Sequence, residues 1–112
     1  MGEFKKIGTV AELPPAGEAR EFQLDGRTIC VANENGRCTA MDNVCAHRGG
    51  PLGQGVVDYG KLVCPWHGWQ FDLLTGKSEQ NPALGVDVYE LKVEGEDVLV
   101  KVGSNPRPIA PR

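Results

Sequence analysis

Two short segments, Cys45-Ala46-His47 and Cys64-Pro65-Trp66-His67, constrain this chain more than anything else in it. Sixteen residues separate them, and they hold the only two histidines of the protein. Each offers one soft thiolate and one borderline imidazole, ligand types suited to zinc or to an iron–sulfur centre. Each also runs straight into glycine, as His47-Arg48-Gly49-Gly50 and as His67-Gly68. Glycine lets the backbone turn tightly and bring its N–H groups close to a bound centre. If the four groups share one ion or cluster, the fold must bring two loops to one point.

The rest of the chain is punctuated for short strands. Ala19 to Leu24 and Arg27 to Asn33 alternate about Asp25-Gly26, a hairpin signal. Arg37 to Asp42 pairs back across Asn35-Gly36 and leads into the first Cys/His segment. Gly53 to Val63 reads as a strand, a turn at Tyr59-Gly60, and a strand feeding the second segment. Gln70 to Leu73 returns to a turn at Thr75-Gly76-Lys77. Val86 to Val93 and Val98 to Val102 join at Glu94-Gly95-Glu96-Asp97. At the start, Phe4 to Gly8 reads as an edge strand, and Thr9 to Pro15 as a turn, because tandem prolines forbid a continuing helix. No window keeps apolar residues at i, i+3, i+4 and i+7. These signals predict eight to ten short strands in an antiparallel all-β fold, a sandwich or partly open barrel.

The 112 residues suffice for one domain with one core. A net charge of −3 argues against nucleic acid as the main partner. Met1-Gly2-Glu3-Phe4-Lys5-Lys6 contains no apolar run, which predicts neither signal peptide nor membrane anchor and hence a cytoplasmic protein. Cys30 and Cys38 remain. A two-residue Asn35-Gly36 turn sets Glu34 opposite Arg37, and Cys30 then faces Met41 rather than Cys38. No disulfide is predicted between them, and both read as small buried apolar residues.

The spacing C-x-H, sixteen residues, C-x-x-H resembles that of the Rieske-type [2Fe–2S] ferredoxins, in particular the soluble, low-potential, oxygenase-associated type. The resembling contexts are Cys45-Ala46-His47-Arg48-Gly49-Gly50-Pro51-Leu52 and Cys64-Pro65-Trp66-His67-Gly68-Trp69-Gln70-Phe71-Asp72. More weakly, the resemblance runs from about Phe4 to Val102. It implies that Cys45 and Cys64 bind one iron and His47 and His67 the other. It further implies a Rieske domain over residues 1–103, with a β-sandwich base and a small cluster-binding subdomain over about 41–81. Residues 104–112, with three prolines, are then a mobile tail. Asn81-Pro82-Ala83-Leu84-Gly85 matches, by position, a segment that covers the cluster in relatives. Membrane-anchored relatives carry a disulfide between the cluster loops; the matching positions here are Gly50 and Trp66.

The implied chemistry follows from charge. Two ferric irons, two sulfides, two thiolates and two neutral imidazoles sum to zero, so an electron is added more easily than to an all-thiolate cluster. With both irons fully coordinated and no further histidine as a base, an enzyme active site is not predicted, and outer-sphere transfer remains. The resemblance implies a monomeric one-electron carrier between a flavin-dependent NAD(P)H reductase and a terminal oxygenase. The small subunit of an assimilatory nitrite reductase is similar over the same span. A zinc-stabilised binding module is the alternative of another class, although zinc fingers usually pair Cys with Cys and His with His. Trp66 reads either as a core residue or as an exposed contact for a redox partner. Trp69 reads as packing beneath the loop, and Arg48 as a solvated charge able to steer docking.

Overall fold

The computed structural model describes residues 4–45, 49–66 and 68–101. Among them are nine strands: β1 (Phe4–Thr9), β2 (Ala19–Leu24), β3 (Arg27–Glu34), β4 (Arg37–Asp42), β5 (Val56–Asp58), β6 (Lys61–Val63), β7 (Gln70–Asp72), β8 (Val88–Glu94) and β9 (Asp97–Lys101). All pairings are antiparallel. Six strands form one sheet in the order β1-β9-β8-β4-β3-β2, and three form a second in the order β5-β6-β7. Strand β1 also lies against β2, so the larger sheet is nearly closed on itself. The predicted class, antiparallel all-β, is the one observed.

Local turn chemistry explains the hairpins. The pairs Asp25-Gly26, Asn35-Gly36 and Tyr59-Gly60 all have positive φ at both residues. That is the type I′ requirement, and its twist matches the strands it joins. The predicted register holds: Glu34 faces Arg37 and Cys30 faces Met41. In the β8–β9 hairpin only Gly95 of the loop has positive φ, as a type II′ turn requires.

Strand β3 is the centre of the packing. Ile29, Cys30, Val31 and Ala32 are each 0% exposed. Their side chains alternate between two cores, as the period of a strand dictates. Ile29 and Val31 point into a core with Phe22, Leu24, Ala40 and Val100, enclosed by the larger sheet. Cys30 and Ala32 point into a second core with Met41, Leu52, Leu62, Phe71 and Val86, shared with the three-stranded sheet. A strand buried on both faces reads as a continuous apolar run, which this one is.

Three boundaries differ from the sequence reading. Residues Leu52–Gln54 form a 3-10 turn, and the strand predicted from Gly53 starts at Val56. The cause is Asn43, whose carbonyl accepts the Leu52 N–H and whose side chain accepts the Gly53 N–H. Similarly, β8 begins at Val88 rather than Val86, because the Val86 N–H is committed to the Gly76 carbonyl at 3.0 Å. A short 3-10 helix, Val10–Glu12, opens the predicted Thr9–Pro15 turn. The predicted tail lies outside the described residues.

Candidate metal centre

Cys45 lies just beyond the end of β4, and Cys64 directly follows β6. Both are 1% exposed and belong to the core between the two sheets. Each loop is closed by its own backbone. The Cys45 N–H donates to the Gly50 carbonyl at 2.9 Å, and the Gly49 N–H to the Cys45 carbonyl at 2.8 Å. In the second loop the Cys64 N–H donates to the Trp69 carbonyl at 2.7 Å.

The two thiols meet. They are joined by a side-chain hydrogen bond, and the Trp66 backbone N–H donates to the Cys64 sulfur. Burial pushes the Cys64 thiol up to about 11, the Trp66 N–H opposes this, and the Cys45 thiol adds to it. A metal cation inverts that logic, since coordination deprotonates a thiol outright. The loops touch at Gly50, where an added Cβ would lie 2.9 Å from Cys64 Sγ and 3.0 Å from the Trp66 ring. Only glycine lets the first loop lie against the second this closely. The donor set is therefore soft, convergent and dry, and it fits an iron–sulfur or zinc centre. His47, His67 and Arg48 lie outside the described residues.

Around the thiols, Trp66 is 49% exposed and Val44 38% exposed, giving the site an apolar rim. Of the two readings of Trp66, the exposed one is observed. Trp69 is half-buried against the core beneath the loop, as predicted, with its ring 6.4 Å from that of Phe71, which is 0% exposed. Leu84 packs on the same core, and its N–H closes a turn onto the Asn81 carbonyl at 2.8 Å.

All four cysteines are free thiols. Cys30 is fully buried, its thiol pushed up first by burial and then by the Glu21 and Asp42 carboxylates. Cys38 departs from the sequence reading in degree: it is only half-buried, on the same face of β4 as Ala40 and packed at the edge of the core enclosed by the larger sheet, where it lines a surface groove of about 570 Å3 between β4 and β8. Two residues that the sequence did not single out, Asn43 and Glu21, meet at the base of the first loop. Asn43 Nδ2 donates to Glu21 Oε2 at 2.7 Å. No spacing signal connects residues so far apart in the chain.

Residues 3–90 match the Rieske [2Fe-2S] domain. The biphenyl dioxygenase ferredoxin subunit of Pseudomonas sp. (strain KKS102) is 34% identical over 99 residues, covering 87% of this chain and 90% of that protein. Among solved structures, the ferredoxin of carbazole 1,9a-dioxygenase from Nocardioides aromaticivorans IC177 superposes with a TM-score of 0.77 at 29% identity, covering 87% of this chain and 95% of that one. The putative NADH-dependent nitrite reductase small subunit from Mycobacterium tuberculosis gives a TM-score of 0.81 over 94% of this chain and 99% of that one. At 21% identity this last likeness is one of fold alone. Two mammalian relatives, 36% and 35% identical over 86 residues, are far longer, and this chain spans 14% of their length. Among the described residues, no helix is long and apolar enough to cross a membrane. The match over most of the chain, together with two buried thiols delivered from two loops, places this protein in the Rieske [2Fe–2S] domain family.

Proposed function

We propose that this chain is a one-electron carrier whose [2Fe–2S] cluster is held by Cys45 and Cys64 on one iron and His47 and His67 on the other, within a cluster-binding subdomain of about residues 41–81. The observation that carries this reading is the meeting of the two loop thiols in a dry core, with a backbone N–H already aimed at one sulfur. When bound, the cluster supplies reversible one-electron chemistry without a change of ligands. The protein's own part is positional. Cys45 and Cys64 arrive as thiolates, the Trp66 N–H stabilises negative charge on the Cys64 sulfur, and Leu52, Leu62, Phe71 and Leu84 keep water from that side. The exposed ring of Trp66 offers apolar area for a transient complex.

The partners that fit are a flavin-dependent NAD(P)H reductase as donor and a terminal oxygenase as acceptor, each met by a monomer of this chain. Support comes from the 34% identity to a dioxygenase ferredoxin subunit of nearly the same length. The nitrite reductase reading has only a likeness of fold behind it.

Iron and acid-labile sulfide assays with a visible spectrum test the ligand set. Two irons and two sulfides per chain are expected, falling to near zero on changing Cys45, His47, Cys64 or His67 to Ala. Cys30→Ser and Cys38→Ser keep full content, since neither is a proposed ligand. A colourless protein containing zinc, or full iron content in the His67→Ala variant, overturns the assignment.

A further inference from the structure

The first ligand loop is fastened by a polar bridge as well as by packing. Asn43, two residues before Cys45, is 6% exposed. Its Nδ2 donates to Glu21 Oε2 at 2.7 Å, its Oδ1 accepts the Gly53 N–H at 2.6 Å, and its carbonyl accepts the Leu52 N–H at 2.8 Å. One side chain therefore closes the base of the 43–53 span, with Cys45 inside it. Glu21 belongs to β2 and pairs with Cys30 of β3, whose side chain shares a core with Cys45 and Cys64. The fit has no slack: a Cβ on Gly53 would lie 2.4 Å from Glu21 Cγ and 2.8 Å from Asn43 Oδ1. A buried amide left without its partners is costly, so the bridge holds only as a complete unit.

We propose that Asn43 and Glu21 are positioning residues for the iron–sulfur centre, the Glu21–Asn43–Gly53 bridge pinning the base of the first ligand loop against β2 and so setting the surroundings of Cys45. The proposal rests on the reading of Cys45 as a cluster ligand. The bridge does two things. Geometrically, it fixes where the loop leaves β4. Electrostatically, it holds a carboxylate beside the core that contains the ligating thiols, and a nearby negative charge opposes the addition of an electron.

Three variants of the full chain test it: Asn43→Asp, Glu21→Gln and the two combined. Asn43→Asp sets two carboxylates against each other and removes the donor, so iron and sulfide per chain should fall at least fivefold. In the double variant the new amide at position 21 donates to the new carboxylate at position 43, which still accepts the Gly53 N–H. Content should then return to within twofold of wild type. Glu21→Gln alone keeps an acceptor for the Asn43 amide and loses the charge. It should retain the cluster and favour the reduced form about threefold, a rise of about 28 mV at 59 mV per tenfold for one electron. Far-UV circular dichroism of each apo-protein identifies any variant that loses the sheet. If Asn43→Asp unfolds, the other two variants decide. Full cluster content and an unchanged electron paramagnetic resonance spectrum in Asn43→Asp overturn the bridge, as does a folded double variant that stays empty. An unmoved potential in Glu21→Gln overturns its electrostatic half. A wild-type chain without iron and sulfide instead overturns the carrier reading beneath the proposal.

Discussion

At the residue scale, the property most open to a single substitution is the reduction potential. Phe71 is fully buried in the same core as Cys45 and Cys64, with Trp69 beside it. In high-potential relatives that the second loop resembles, these two positions carry Tyr and Ser hydroxyls that donate to sulfur. Neither residue here has a hydroxyl, whereas the Trp66 N–H does reach the Cys64 sulfur. Donors to ligating sulfur stabilise the more negative reduced state and raise the potential. The expected wild-type potential is therefore near the low end of the Rieske range, roughly −150 mV. Phe71→Tyr should raise it by on the order of 40 mV if the new hydroxyl reaches a ligating sulfur, which is what about 1 kcal/mol amounts to at 59 mV per tenfold. Protein-film voltammetry measures both values. A wild-type potential well above zero, or a Tyr variant no higher than wild type, would mean that backbone donors already dominate.

At the scale of elements, the turns hold the ligand loops in place, and they differ in how they tolerate change. The turn after β7 is built on Asp72, whose Oδ1 accepts the N–H groups of Leu74 and Thr75 at 2.8 and 3.0 Å. Burial pushes that carboxyl up, but these N–H groups and the Lys61 ammonium outweigh it and hold it below the usual range. Gly76 ends the turn at φ +75, where a Cβ would lie 2.2 Å from the Val86 carbonyl oxygen. Gly26, at φ +80, has open space around the same position. Gly26→Ala should therefore cost only the backbone penalty of about 1–2 kcal/mol. Gly76→Ala adds a clash with backbone that the Val86–Gly76 hydrogen bond prevents from yielding. Its loss should exceed that of Gly26→Ala by about 1 kcal/mol or more, read as a further drop of roughly 4–8 °C in Tm. Equal losses in thermal unfolding would show that Val86 moves aside.

At the scale of the whole molecule, the two cores should respond differently to metal. The core enclosed by the larger sheet, with Phe22, Ile29, Val31 and Val100, contains neither proposed thiol ligand. The core between the sheets contains both, contributed by loops that follow β4 and β6. A ligand held only by the folded state stabilises it by mass action, and metal binding to a site absent from the unfolded chain is folding free energy. Removing iron by reduction and chelation should lower the Tm by at least about 10 °C, the equivalent of roughly 2 kcal/mol. Amide exchange should quicken first in β5, β6 and β7 while β2, β3 and β9 stay protected. Uniform loss of protection across both sheets would show a single cooperative unit.

The parts of this protein legible in its sequence are those that depend on neighbouring residues. Asp25-Gly26, Asn35-Gly36 and Tyr59-Gly60 determine hairpins because two successive positive φ values suit few residue pairs, and a two-residue turn then fixes register for the whole strand pair. The spacing of Cys45, His47, Cys64 and His67 marked the candidate ligands by chemistry alone, and the two described members, Cys45 and Cys64, do come together. Other features waited for the tertiary structure. The pairing of β1 with β9, and of β8 with β4, joins segments distant in sequence, and it depends on the packing of all of them at once. The 3-10 turn at Leu52–Gln54 overrides the strand predicted from Gly53 because Asn43 captures two N–H groups of that segment. Whether Trp66 is buried, and how completely Cys38 is covered at the edge of its core, depends on neighbours distant in the chain. The Asn43–Glu21 contact was invisible for the same reason: a hydrogen bond between a loop and a distant strand has no spacing in the chain, only a distance in the fold.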